Sequence, residues 1–153
     1  MLDDWQKWVI DGILSEDADR RLCAGDALLL VPRQNGKNVV LEVVELFCFY
    51  ILEWREIIHT SHLQDSSATH LKRLLMVIDD NPELAAITRP RAANGQEALV
   101  RIDTRAELKF MTRSKKIGRS KSPRLVVLDE ALFLQDAHMN ALPGGRGVVL
   151  HDR

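Results

Sequence analysis

At 153 residues the chain is one domain's worth of polypeptide, long enough to bury a sizeable core. Hydrophobic residues make up 46% and charged residues 28%, a globular balance that excludes a disordered chain. The formal charge is −1, but residues 1–80 carry 8 Lys and Arg against 14 Asp and Glu while residues 81–153 carry 13 against 8, so any polyanion should meet the second half.

Leu2 to Leu14 has the spacing of an amphipathic helix, with Trp5, Trp8, Val9, Gly12 and Ile13 on one face and Asp3 and Asp4 in the first turn. An acidic start of this kind is unlike a secretory signal. After a charged connector, Ala27 to Val31 reads as a short buried parallel strand that breaks at Pro32 into a polar turn ending in Gly36 and Lys37. The helix expected from Lys37 to Trp54 is apolar nearly all round. Glu42, Glu45 and Glu53 interrupt it, and it falls short of the about 20 apolar residues of a membrane span, so it reads as a helix packed on a sheet. Trp5, Trp8 and Trp54 are assigned to the core, because each has apolar neighbours at helical spacing.

Glu56 to Thr60 reads as the next buried strand and Ser61 to Ile78 as a second amphipathic helix. Asn81 and Pro82 mark a helix start, as cap and first helical residue. Strand, helix, strand, helix is the pattern of an α/β fold with a parallel sheet. Ile87 to Ala92, Glu97 to Ile102 and Glu107 to Thr112, with a turn at Asn94 and Gly95, read as half-buried antiparallel strands inserted beside that sheet. The basic segment from Arg113 to Arg124 reads as a loop. Leu125 to Leu128 is a third buried strand ending in Asp129 and Glu130. Ala131 to Leu142 continues as a helix, and Gly147 to His151 forms a last strand.

Strand, turn with Gly and Lys, then helix is how a phosphate-binding loop is built: N–H groups at a helix N-terminus face the anion and Lys adds a point charge. Val31 stands where the common pattern has its first Gly, and Asn38 where it has a magnesium-binding hydroxyl. An ordinary strand-to-helix turn with an exposed Lys37 is the plainer reading of the same residues. The segment LVVLDE adds the second half. Two carboxylates fall at the C-terminal edge of a parallel sheet, where Asp129 can hold magnesium and Glu130 can polarise an attacking water.

Other polar residues have narrower readings. His59 and His62 straddle a strand end, lack a third ligand nearby and read as a polar strand terminus rather than a metal site. Cys23 and Cys48 form neither a metal spacing nor a disulfide framework, which fits a reducing cytoplasm. The basic loop is either a solvated surface segment or a sequence-independent contact with DNA phosphates through Arg113, Lys115, Lys116, Arg119 and Lys121.

Taken in order, VPRQNGKN, IIHTSH, RSKKIGRSKS and LVVLDEALFL resemble the N-terminal ATPase domain of the large terminase subunit of tailed bacteriophages, the motor that packages DNA into the procapsid. The resemblance runs from DDWQKW to about Leu142. It implies a P-loop NTPase of the additional-catalytic-Glu class: a parallel core sheet flanked by helices, with an inserted antiparallel hairpin, here C-terminally incomplete. It also implies ATP and Mg2+ as ligands, double-stranded DNA, portal and small terminase subunit as partners, a homo-oligomer, and a bacterial host cytoplasm with no membrane contact.

By the same resemblance Lys37 would contact the β- and γ-phosphates, with the backbone of Gln34, Asn35, Gly36, Lys37 and Asn38 cradling them. Arg33 would be an arginine finger supplied in cis. Asp129 would serve magnesium, with the Asn38 carboxamide as a second contact, and Glu130 would activate water. Thr60 and His62 would support the site from behind. Gln6 would read the adenine edge, although an exposed Gln on a Trp-bearing helix is the alternative.

The family's C-terminal nuclease domain has no counterpart, so no nuclease activity is expected; residues 1–142 form the terminase-like domain and 143–153 a tail unlike the family. In the family a strand separates the loop strand from the Asp-Glu strand, and Gly147 to His151 is expected to fill that slot by a right-handed crossover. Two other readings stand beside the truncated motor: a non-catalytic prophage remnant or interaction protein that keeps the fold without turnover, and a helicase-like ATPase of another system.

Overall fold

A computed structural model of the chain describes residues 2–19, 21–32, 35–92, 97–112, 123–129 and 146–152. Its elements are α1 (Asp4–Leu14), β1 (Asp26–Val31), α2 (Lys37–Leu46), a π-helical turn (Phe47–Ile51), β2 (Glu56–Ser61), α3 (Gln64–Asp79), α4 (Pro82–Ile87), β3 (Thr88–Arg91), β4 (Glu97–Arg101), β5 (Glu107–Thr112), β6 (Leu125–Leu128) and β7 (Arg146–Asp152). One seven-stranded sheet runs β1-β7-β6-β2-β5-β4-β3. The first five strands in that order are parallel, and β4 and β3 close the far side antiparallel.

Two expectations about strands change. Glu107–Thr112 belongs to the parallel core, paired in parallel with β2 over its whole length and antiparallel with β4. Its alternation of Leu108 and Phe110 with Glu107 and Lys109 suits either partner direction, so sequence alone could not choose. Asp26–Val31 is an edge strand rather than a buried one: among the described strands only β7 pairs with it, and Leu28 is 65% and Leu30 47% exposed.

The strand expected at the tail does sit between the loop strand and the Asp-Glu strand. Val148 to Leu150 align with Ala27 to Leu29 on one side, and Val148 and Val149 with Val127 and Leu128 on the other. That placement joins the two halves of the molecule by backbone hydrogen bonds.

The core forms where α2 and α3 meet the sheet. Val40, Leu41, Val44, Cys48 and Phe49 from α2 and its π-helical continuation pack with Ile57, Leu74, Ile78, Leu99, Leu108, Phe110, Leu125 and Val127. Ile57, Leu108 and Leu125 lie at one register level and His59, Phe110 and Val127 at the next, so one face of three adjacent strands is built from aligned residues. The long helix expected to reach Trp54 ends α-helically at Leu46. Its last turn widens to the π form, where buried Arg101 donates to the carbonyl oxygens of Phe49 (3.0 Å) and Tyr50 (3.2 Å). Trp54 is buried and Trp5 partly so, but Trp8 is 77% exposed and does not belong to the core. No helix among the described residues is long and apolar enough to cross a membrane.

Candidate nucleotide site and its relatives

Lys37 opens α2 directly after Gly36, whose φ of 74° is a left-handed conformation that a residue without Cβ adopts freely. The Gly36 carbonyl accepts from Val39 N–H (3.1 Å) and from Gln6 Nε2 (3.1 Å). Gln6 is not exposed: at 4% accessibility, it also accepts the Asp3 N–H through Oε1 at 2.8 Å, closing the first turn of α1. One carboxamide thus fastens α1 to the turn that precedes Lys37. A Cβ on Gly36 would lie 2.7 Å from Gln6 Nε2, which shows how closely the two are set.

At the carboxyl edge of the sheet, Asp129 follows β6 and continues its ladder, donating its N–H to the Thr60 carbonyl at 2.9 Å. Thr60 is itself buried and donates Oγ1–H to Val127 O at 3.1 Å. The Lys37 ammonium and Asp129 Oδ1 are 2.9 Å apart, although 92 residues separate them in sequence. Both side chains are about nine-tenths buried, so solvent screens this pair little. Asn38 Oδ1 is enclosed with no hydrogen-bond partner among the described residues. A carboxylate and an unsatisfied amide oxygen are the hard donors that magnesium takes, so the residues present fit that ion.

Arg33, Gln34 and Glu130 lie outside the described residues, as do Arg113, Lys115, Lys116, Arg119, Lys121 and the expected helix from Ala131 to Leu142. Asn35 is exposed at the turn. His62 is exposed, whereas His59 is fully buried.

His59 instead belongs to a buried cluster with two residues the sequence did not single out. His59 Nδ1 is 2.7 Å from Glu45 Oε1, His70 Nε2 is 2.7 Å from Glu45 Oε2, and the imidazole rings stack at 4.2 Å. Burial by itself would raise the pKa of Glu45, but the charges and hydrogen bonds of His70 and His59 bring it down to about 2. Burial opposes the charged form of His70, and Glu45 foremost, then Glu42 and Asp129, more than offset it, so its pKa is raised. Burial, reinforced by Glu45, pushes the Cys48 thiol up to about 12, which leaves it an inert core residue.

Several solved structures share this arrangement of strands and helices. The HK97 bacteriophage large terminase matches with a TM-score of 0.74 at 20% identity, over 99% of this chain and 33% of that one. This chain carries the large-terminase fold. The Thermus phage P74-26 large terminase ATPase domain matches at TM-score 0.65 and 16% identity, over 99% of this chain and 64% of that domain. The large terminase from a thermophilic bacteriophage, solved in complex with ADP, matches at 0.67 and 10%, over 99% of this chain and 39% of that one. The terminase fold is therefore represented here by a chain spanning about a third of the HK97 protein's length. No family model and no curated protein matches the sequence.

Proposed function

We propose that the chain is an ATP-binding motor domain of the phage DNA-packaging type, a P-loop NTPase whose phosphate loop runs from Arg33 to Asn38. The observation that carries this reading is the 2.9 Å contact between Lys37 and Asp129 at the carboxyl edge of five parallel strands. Ligands of open α/β sheets bind at that edge. The fold it shares with terminases, among them one solved with ADP and again with ATP-gamma-S, supports the same reading.

In this proposal the N-terminus of α2 and the backbone from Gln34 to Asn38 receive the phosphates, and Lys37 leaves Asp129 for the β- and γ-oxygens. Asp129 and Asn38 would hold magnesium, which supplies charge neutralisation between the phosphate oxygens when bound. Glu130 orients and deprotonates the attacking water, and Arg33 stabilises charge developing on the transferred phosphoryl group. Gln6 reaches adenine with the donor and acceptor capacity left over from Asp3 and Gly36. Double-stranded DNA meets Arg113, Lys115, Lys116, Arg119 and Lys121, and portal, small subunit and further copies of the chain are the assembly partners.

Hydrolysis measured with magnesium and double-stranded DNA tests the proposal on three chains. The native chain should turn over ATP, Lys37→Ala should lose nucleotide binding, and Glu130→Gln should bind ATP normally with turnover reduced at least about a hundredfold, the scale of a lost general base. Equal background rates in all three would establish instead a chain that keeps the fold without catalysis.

A further inference from the structure

We infer that Glu45, His59 and His70 form a binding site for a borderline transition-metal cation of the zinc type, separate from the magnesium site. The three residues come from three elements, α2, β2 and α3, and their ligand atoms all lie within 4.8 Å of one another. Two imidazoles and one carboxylate are a donor set that selects zinc-like cations over magnesium, which prefers oxygen. All three side chains are almost wholly enclosed, at 0%, 0% and 4% accessibility, and both imidazoles already hydrogen-bond the one Glu45 carboxylate.

Unsatisfied capacity around the cluster strengthens the assignment. His59 Nε2 is buried with no hydrogen-bond partner among the described residues. Glu42 Oε1, one helical turn from Glu45, is buried as well, and Arg73 Nε lies 3.0 Å from it as an ion pair without hydrogen-bond alignment. A second carboxylate beside the cluster adds negative charge that favours a divalent cation there, and Arg73 offsets part of that charge. With ligand bonds of about 2.0–2.2 Å, a tetrahedral ion needs donors about 3.3 Å apart, so Glu45 has to draw back from each imidazole by less than about 1 Å and one of the stacked rings has to turn until both nitrogen lone pairs meet at the ion. Metal binding at these nitrogens displaces the hydrogens that bridge carboxylate and rings: each moves to the other nitrogen of its own ring, and a proton that makes an imidazole cationic is released to solvent. Metal binding ties α2, which carries Lys37, to β2 and α3 underneath the nucleotide site.

The test uses the full chain after treatment with a chelator, titrated calorimetrically with zinc. Wild type, Cys23→Ser and Asp129→Asn should each bind one equivalent, which separates this site from the exposed thiol and from the magnesium site. Glu45→Gln and His70→Gln should weaken binding at least about a hundredfold. Saturating zinc at a hundredfold excess over Kd should raise the wild-type Tm by about 5–10 °C. Because the variants remove a buried network and could fail to fold, imidazole nitrogen NMR of the wild type supplies the second readout: the His59 and His70 resonances should shift on zinc addition. Absence of binding, binding that survives both substitutions, or unmoved His59 and His70 resonances would each overturn the site.

Discussion

Gly36 and Gln6 show how a single position can serve backbone geometry and packing together. Any side chain at Gly36 would hold φ near 74° at a cost and would meet Gln6 Nε2 at 2.7 Å. Gly36→Ala should therefore lower unfolding free energy by about 1–2 kcal/mol in urea titration, and removing the clash with Gln6→Ala should recover part of that loss. Asn38 is the other residue on which the proposed site makes a demand. Its Oδ1 lacks a partner among the described residues, so Asn38→Ala should leave the fold intact while weakening magnesium-dependent ATP binding roughly tenfold, the ~1.4 kcal/mol of one modest contact. The turn at Gly36 and the helix start at Lys37 were legible in the sequence because a turn between strand and helix is a local feature. The buried state of Gln6 was not, since its Gly36 partner is 30 residues away.

Among the elements, the π-helical turn depends most on a distant residue. Its buried carbonyls at Phe49 and Tyr50 are satisfied by Arg101, which also pairs with Glu53 and Asp103. Arg101→Met keeps much of the side-chain length but leaves those acceptors bare, and should destabilise the chain by about 2–4 kcal/mol on thermal or urea unfolding. The Arg101 hydrogen bond lowers the Asp103 pKa from 3.8 to about 2; desolvation opposes it, and Thr104 N–H and the guanidinium charge add smaller contributions in the same direction as the hydrogen bond. A carboxylate with a depressed folded pKa stabilises above its unfolded value and loses that contribution as pH falls through the folded one. Stability should drop between about pH 4 and 2, and Asp103→Asn should flatten that part of the curve measured by denaturation. The helix-to-π change was not legible in FCFYI, because an apolar run reads as ordinary helix until the packing of Arg101 beneath it is known.

On the scale of the whole molecule, the sheet order governs both site and surface. By entering between β1 and β6, β7 places the Gly36–Lys37 turn and Asp129 on the same sheet edge. The same order leaves β1 outermost among the described strands, with Leu28 and Leu30 facing outward. Exposed apolar edge strands are pairing templates, so concentrated protein should self-associate through this strand. Leu28→Lys with Leu30→Lys should lower the apparent mass in light scattering without altering the circular dichroism spectrum. An unchanged mass would mean that association does not use β1.

Taken by itself, the sequence determined the parallel α/β character, the strand-to-helix turn at Gly36 and Lys37 and the carboxylate after LVVL, because each is written in a short stretch whose periodicity or turn chemistry acts locally. Only the tertiary structure decided that β5 joins the parallel core, that β1 is outermost among the described strands, and that Glu45, His59 and His70 meet. Those outcomes depend on which elements become neighbours, and neighbours are chosen by burial and backbone pairing summed over the whole chain.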